Sequence, residues 1–284
     1  MRQFMLLVAV LYATWALPGC AMPSPLGTTE QARLAALLPA DVLLLGEQHD
    51  APTHQQLQRQ VVEWLAARGE LTTLALEMAE QGHGTAGLPR NASEARVQRA
   101  LAWRDAGWPW KTYRPVVMAA VRAGVPVLGA NLPTARQRQV MRDATLEARL
   151  PPDALAEQQQ RMRDGHCGML PQSQIMPMTR VQIARDIAMA DTVRAAWQPG
   201  RTVLLIAGNG HVHRALGVPL HLPSDMKVKV LSARSAAGLD AAGSEAPSPP
   251  PEPGSGADLV WPTPPLPPRD YCAEFRRATR APGN

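Results

Sequence analysis

The sequence predicts an α/β fold: a mainly parallel sheet flanked by helices, with a helical insertion. Three observations carry that reading. The runs "DVLLLGEQHD", "LTTLALEM" and "TVLLIAG" are too short and too dense in Leu and Val for surface helices, and they read as strands buried on both faces. Longer stretches between them carry apolar residues at helical spacing. Two of the apolar runs end on a glycine, Gly46 and Gly208, where a strand would hand the chain to a loop. Alternation of this kind favours a parallel sheet with helices on both faces.

The elements follow in order. After the first strand a helix is expected, with Asp50 as its cap, Pro52 in its first turn and Leu57, Val61, Val62 and Leu65 along one face before Gly69. "LTTLALEM" completes a β-α-β unit. "NASEARVQRALAWRDAG" reads as a second helix and "RPVVMAAVRAG" as a third, stopped by Gly124 and followed by the strand "VPVLGANLP". A polar, Arg-rich helical stretch over 134–162, broken at Pro151 and Pro152, forms the insertion, and "DGHCGMLPQSQIMPM" reads as irregular. In the amphipathic helix "TRVQIARDIAMADTVRAAW", Val181, Ala184, Ile187, Ala188 and Val193 are expected to face inward, with Arg185 and Asp191 elsewhere. It leads into "TVLLIAG", and "KVKVLSA" is a further strand. The Pro/Gly/Ser bias of "AAGSEAPSPPPEPGSG" marks a flexible linker, "ADLVW" an edge strand returning to the sheet, and "PTPPLPP" an extended segment. No internal repeat occurs at solenoid spacing.

The 284 residues fit one large domain. With 45% apolar residues but only two Phe and three Tyr, the core is expected to be aliphatic. The net charge of +5 is carried by Arg scattered along helices, without a nucleic-acid motif, so it reads as a solvated surface and not a nucleic-acid partner. Attraction to an anionic membrane surface stays open.

"MRQFMLLVAVLYATWALPGCAMPSP" carries an early Arg, an apolar stretch and small residues before Cys20, the pattern of an export signal. The apolar stretch falls short of the ~20 residues a membrane span needs. The expected division is 1–20 signal peptide, 21–40 spacer, 41–235 α/β domain, 236–256 linker and 257–284 a C-terminal segment returning to the domain. "LPGC" resembles the bacterial lipobox, which implies lipidation at Cys20 and a membrane anchor; Pro18 is a less usual residue there, so plain secretion is the alternative. With Cys20 lipidated, Cys167 and Cys272 remain, and two exported thiols are expected to form a disulfide. The alternative is two free, buried cysteines.

Ligands of open parallel sheets sit outside the carboxyl ends of the strands. Those ends bring Glu47 and His49, Glu77, Asn131, and Asn209 and His211 to one edge. The spacing G-x-x-H occurs twice there, Gly46 to His49 and Gly208 to His211, where a glycine would free the backbone for a turn and a histidine would face the crevice. Imidazoles with carboxylates suit either a first-row metal, with His49, His211, Glu47 and Glu77 as ligands, or a general base oriented by an acid. The same residues could also satisfy one another as a structural network. His54 and His213 are expected on helical faces, while His83 and His221 have no evident partner.

Taken in order, "LLGEQHD", "ALEM", "GHCGMLP" with "QIARDIAMA", "LIAGNGHVHRALGVP" and "DLVW...DYC" resemble the ChaN-like haem-binding uptake lipoproteins of Gram-negative bacteria. That family belongs to a superfamily with Tiki, TraB and erythromycin-esterase-type proteins. The resemblance implies a lipoprotein of the bacterial cell envelope, anchored on the periplasmic face of the outer membrane, that binds haem for iron acquisition, with a homodimer enclosing the cofactor. It implies a tyrosine ligand without fixing its position. Tyr113, after the aromatic, flexible-looking "GWPWK", is the first choice and Tyr271 the second, with His166 a further axial candidate. Met169, Met176 and Met178 are expected to pack. The superfamily also implies a competing reading, a metal-dependent ester or peptide hydrolase in which Glu47, His49, Glu77 and His211 are catalytic and hold a divalent metal. A third reading is a non-catalytic periplasmic interaction module whose proline-rich tail binds a partner.

Overall fold

The computed structural model describes residues 26–236 and 256–280. The chain runs α1 (Thr28–Ala35), β1 (Val42–Glu47), α2 (Pro52–Ala67), β2 (Leu71–Glu80), α3 (Glu94–Ala100), α4 (Trp110–Ala123) and β3 (Val127–Asn131). Short helical pieces, α5 (Gln137–Val140) among them, lead to α6 (Pro152–Gly165) and α7 (Gln172–Ala196). Then come β4 (Thr202–Gly208), β5 (Val228–Ser235), β6 (Leu259–Thr263) and α8 (Tyr271–Arg280). All strands are parallel in one sheet of order β3-β2-β4-β1-β5-β6.

β1 and β4 sit at the centre and are buried along their whole length, as their continuous apolar runs require. Successive side chains point to opposite faces. Leu43, Leu45, Leu204 and Ile206 pack with Leu57, Val61, Val117 and Val121 of α2 and α4 on one side. Val42, Leu44, Val203 and Leu205 pack with Met189, Ala190 and Val193 of α7 on the other. The result is a three-layer α/β fold with the helical insertion between β3 and β4. β6 pairs in parallel with β5 at the sheet edge, and Arg33 of α1 ties to it through the Val260 carbonyl at 2.8 Å and the Trp261 ring at 4.7 Å.

Several boundaries differ from the sequence reading. The spacer before residue 41 holds α1, whose Leu34 joins the core. Ala51, not Asp50, is the N-cap residue of α2, with no side-chain cap bond; Asp50 turns to the C-terminal segment. The second helix is confined to α3, capped by Ser93. α4 begins before Arg114 and Pro115, where the third helix was expected to start, and α7 before Thr179, so all of "QSQIMPM" is helical. α8 has no counterpart in that reading. Asp270 starts it, its carboxylate accepting from the Ala273 N–H at 2.8 Å. His213 lies in a turn, not on a helix. The signal peptide with Cys20, and most of the linker, lie outside the described residues.

Candidate functional site

The two glycines of the G-x-x-H spacings face each other across the centre of the sheet, where Gly46 pairs with Ala207 and Glu47 with Gly208. Neither has a positive φ, so the turn conformation expected of them is not their reason. Each instead makes room for the other strand's loop. A Cβ on Gly46 would stand 2.5 Å from Val212 and against the Asn209 amide, and one on Gly208 would stand 2.9 Å from His49 Nε2. The loops after β1 and β4 therefore interlock, and His49 and His211 are brought to one buried cluster.

Within it, Glu47 is 2% exposed and its carboxylate is fully used. Oε1 accepts from the Tyr113 hydroxyl and His49 Nδ1, both at 2.7 Å; Oε2 accepts from Gln55 at 2.9 Å and from Gln58. Glu77 accepts the Gly208 N–H at 2.8 Å and stands 3.3 Å from His211 Nε2 and 3.8 Å from His49 Nε2. His211 Nδ1 meets Asp186 of α7 at 2.5 Å. Burial opposes the charge on His211, but Glu77 and Asp186 outweigh it and push its pKa up to about 10. Burial likewise opposes ionisation of Glu77, yet the charge of His211 holds it down at about 2. Burial dominates at Asp186, pushed up to about 6. His49, 40% exposed at its side chain, is penalised by partial burial but raised by its bond to Glu47 and by the charge of Glu77. Its ring stands edge-on to Trp108 at 4.8 Å, beside a cavity of about 180 Å³ lined by Glu77, Glu80, Arg104 and Trp108.

This geometry corrects the expected divalent-metal cluster. A ligating imidazole must offer a lone pair. His211 directs both ring nitrogens at carboxylates, and the Glu47 oxygens already accept four donors. Among the described residues, no group of three or more His, Cys, Asp or Glu side chains is arranged to hold a metal ion. What the cluster can do is hold protons in a fixed buried chain. Asn209 turns away to the Ala233 carbonyl and Ser232, and Asn131 Oδ1 is buried without a hydrogen-bond partner.

The surroundings expected of Tyr113, the first-choice haem ligand, also need correction. It is not in a flexible segment but inside α4, 1% exposed, its hydroxyl committed to Glu47 and its pKa driven up by burial and by that carboxylate. The other two candidates lie together on the surface. His166 follows α6, and its Nδ1–H donates to the Met162 carbonyl at 2.8 Å, which leaves Nε2 as the basic nitrogen. Cys167, next along, is bonded to Cys272, and Tyr271 immediately precedes Cys272. Tyr271 donates to Asp50 at 2.7 Å and accepts from Gln48 at 3.2 Å, placing this surface at the sheet edge where β1 ends. That bond to Asp50 raises the Tyr271 pKa. Phe275 meets the His166 ring edge-on at 6.1 Å. Met169, Tyr271 and Phe275, at 40%, 46% and 37% exposure, are three of the five large apolar side chains exposed among the described residues. Met176 and Met178 are half-buried in α7.

The residue that sequence reasoning missed is Asp186. Thr179, Ile183, Asp186, Ala190 and Val193 follow one another at alternating four- and three-residue steps on the buried stripe of α7. A carboxylate on a stripe otherwise free of charge was the available signal.

Comparison with known proteins agrees with this architecture. The chain is similar to ChaN of Campylobacter jejuni, whose structure is described as binding haem cofacially, at 24% identity and a TM-score of 0.60 over 76% of this chain and 89% of that one. It is also similar to the type III effector HopBA1 (17% identity, TM-score 0.42, 81% and 92% covered). A third similarity is to RRSP, a MARTX toxin effector domain of Vibrio vulnificus (14% identity, TM-score 0.39, 72% and 35% covered). None of the curated proteins matches. The family model for haem-binding uptake proteins of the ChaN type, in the Tiki superfamily, matches residues 33–222, and the chain belongs to that family.

Proposed function

We propose that this protein is an exported lipoprotein, anchored through Cys20 in the cell envelope, that binds haem for iron acquisition on the surface formed by His166, Met169, Tyr271 and Phe275. The observation that carries the reading is family membership joined to this surface. Its side chains fit the ligand: a flat macrocycle needs exposed aromatic and apolar contacts, and its iron accepts His or Tyr. His166 has the tautomer a ligating imidazole requires, fixed by the Met162 carbonyl. Tyr271 keeps its proton against Asp50, so as a ligand it would pass that proton to the carboxylate it already touches. Arg276 and Arg277, exposed on the same helix, have the charge that suits haem propionates. Haem bound here supplies an iron centre for delivery, and the protein supplies ligand and contact surface.

Haemin titration of the mature protein, followed at the Soret band, tests this. Saturable binding is expected, with the band shifted or weakened in His166→Ala or Tyr271→Phe and unchanged in Tyr113→Phe. Loss of the band in Tyr113→Phe alone would move the site to the buried cluster, and a flat titration would end the haem reading.

A further inference from the structure

Both surface candidates stand directly beside a disulfide cysteine, His166 before Cys167 and Tyr271 before Cys272. We infer that the Cys167–Cys272 disulfide is the clamp that assembles this face, and that a protein dithiol of the Cys-x-x-Cys kind opens it and lets the ligand go. The inference rests on the haem reading above and concerns the regulation of that site.

Among the described residues, the disulfide is the one covalent cross-link between these two pieces of chain, which stand 105 residues apart in sequence. His166 is fixed to α6 by its own backbone bond and stays with the body whether or not the disulfide is intact. α8 is different. Of its described side chains only Cys272 and Ala273 are half-buried and the rest are exposed. The bonds of Tyr271 to Asp50 and Gln48, and the ion pair of Arg269 with Asp50 just before the helix, lie on the exposed surface, and Phe275 meets the His166 ring edge-on. Exposed pairs of that kind hold a segment weakly. The covalent bond is the tie that exposure to water does not weaken, and it holds the start of α8, with Tyr271, beside the chain that carries His166.

The backbone at Cys167 points the same way. Its φ is +57°, in the left-handed region, where it closes α6 with its N–H on the Asp164 carbonyl and the Gly168 N–H on Arg163. Glycine fills such a position freely and a side chain fills it at a cost. Here the side chain placed at that cost is the one that makes the bond.

Opening is an ordinary exchange. A thiolate of the reductant attacks one sulfur, forming a mixed disulfide and releasing the other cysteine; the reductant's second thiol then displaces the first. Cys167 and Cys272 each end as thiols, the reductant as a disulfide, with two electrons and two protons transferred. Cys167 and Cys272 are both only half-buried, which gives the attacking thiol access.

The test is a haemin titration of three samples of the full mature chain. They are the oxidised protein, the same protein reduced by a phosphine that is removed before titration, and Cys167→Ser/Cys272→Ser. Reduction and the double variant are expected to weaken haem binding about tenfold or more and to shift the Soret band. Reoxidation should restore both in the reduced sample, which a folding defect would not allow. In the double variant Tyr271→Phe should have no further effect, because the phenol has already left. Equal affinity and identical spectra in the three samples would overturn the clamp while leaving the haem reading intact. No binding by the oxidised protein would remove both.

Discussion

The buried cluster around Glu77 and the disulfide-bonded face around His166 lie at the same edge of the sheet, and they are built in opposite ways. In the cluster every charge is matched: His211 stands between Glu77 and Asp186, and Glu47 takes four donors. At the face, apolar side chains are left exposed and one covalent bond keeps them in place. A group already satisfied by its neighbours has nothing left for a ligand, whereas a surface that is apolar and exposed gains by being covered. The polar residues that look most like chemistry in the sequence are therefore matched within the fold, and the less conspicuous surface is the one left open to a ligand.

The largest effect should come from breaking the cluster. His211→Ala leaves Glu77 and Asp186 facing each other without the cation between them, and should lower the free energy of unfolding by about 3–5 kcal/mol. Urea denaturation measures this; a loss below 1 kcal/mol or so would mean the charges are not matched as described. Removing the disulfide with Cys167→Ser/Cys272→Ser should cost less, about 2–4 kcal/mol, because it frees a long loop and not a buried charge. An effect as large as that of His211→Ala would erase the contrast between the regions.

Stability against pH sharpens it further. His211, raised from 6.5 to about 10, contributes stability that is whole below 6.5 and lost as pH rises through about 10. Glu77, lowered from 4.5 to about 2, contributes stability that is whole above 4.5 and lost as pH falls through about 2. Asp186, raised from 3.8 to about 6, works the other way and withdraws some stability as it ionises between those values. The melting temperature should thus fall on both the acid and alkaline sides, and His211→Gln should flatten the alkaline side; an unchanged alkaline side in that variant would contradict the imidazolium. Smallest of all, Arg269→Ala at the exposed face should leave the thermal melt close to that of the parent chain.

Much of the architecture was legible because it follows from short-range pattern. The central strands announce themselves by runs of Leu and Val, Glu47 and Glu77 by standing near the carboxyl ends of theirs, and His49 and His211 by standing just past theirs. The helix starts misled because proline suits a first turn or a loop better than a helix interior. Pro115 and Pro177 are tolerated deeper, more than a turn inside α4 and α7, and the shift carried Tyr113 from a supposed loop into the core. Pairings across the fold left no local trace. Nothing near Asp186 reveals that it meets a histidine from the far side of β4, and nothing near Gly46 reveals that Asn209 fills its missing side chain.

The position of β1 has a consequence for how the chain is made. Among the described residues it bonds only to β4 and β5, both encoded far downstream, although it is the first of the described strands to be synthesised. A growing chain can complete α2, β2, α4 and β3 while β1, wholly apolar from Val42 to Leu45, still has no neighbour on either edge. Until the residues of β4 emerge, that segment is an open template for stray pairing, and it is the part of the nascent chain that most needs shielding.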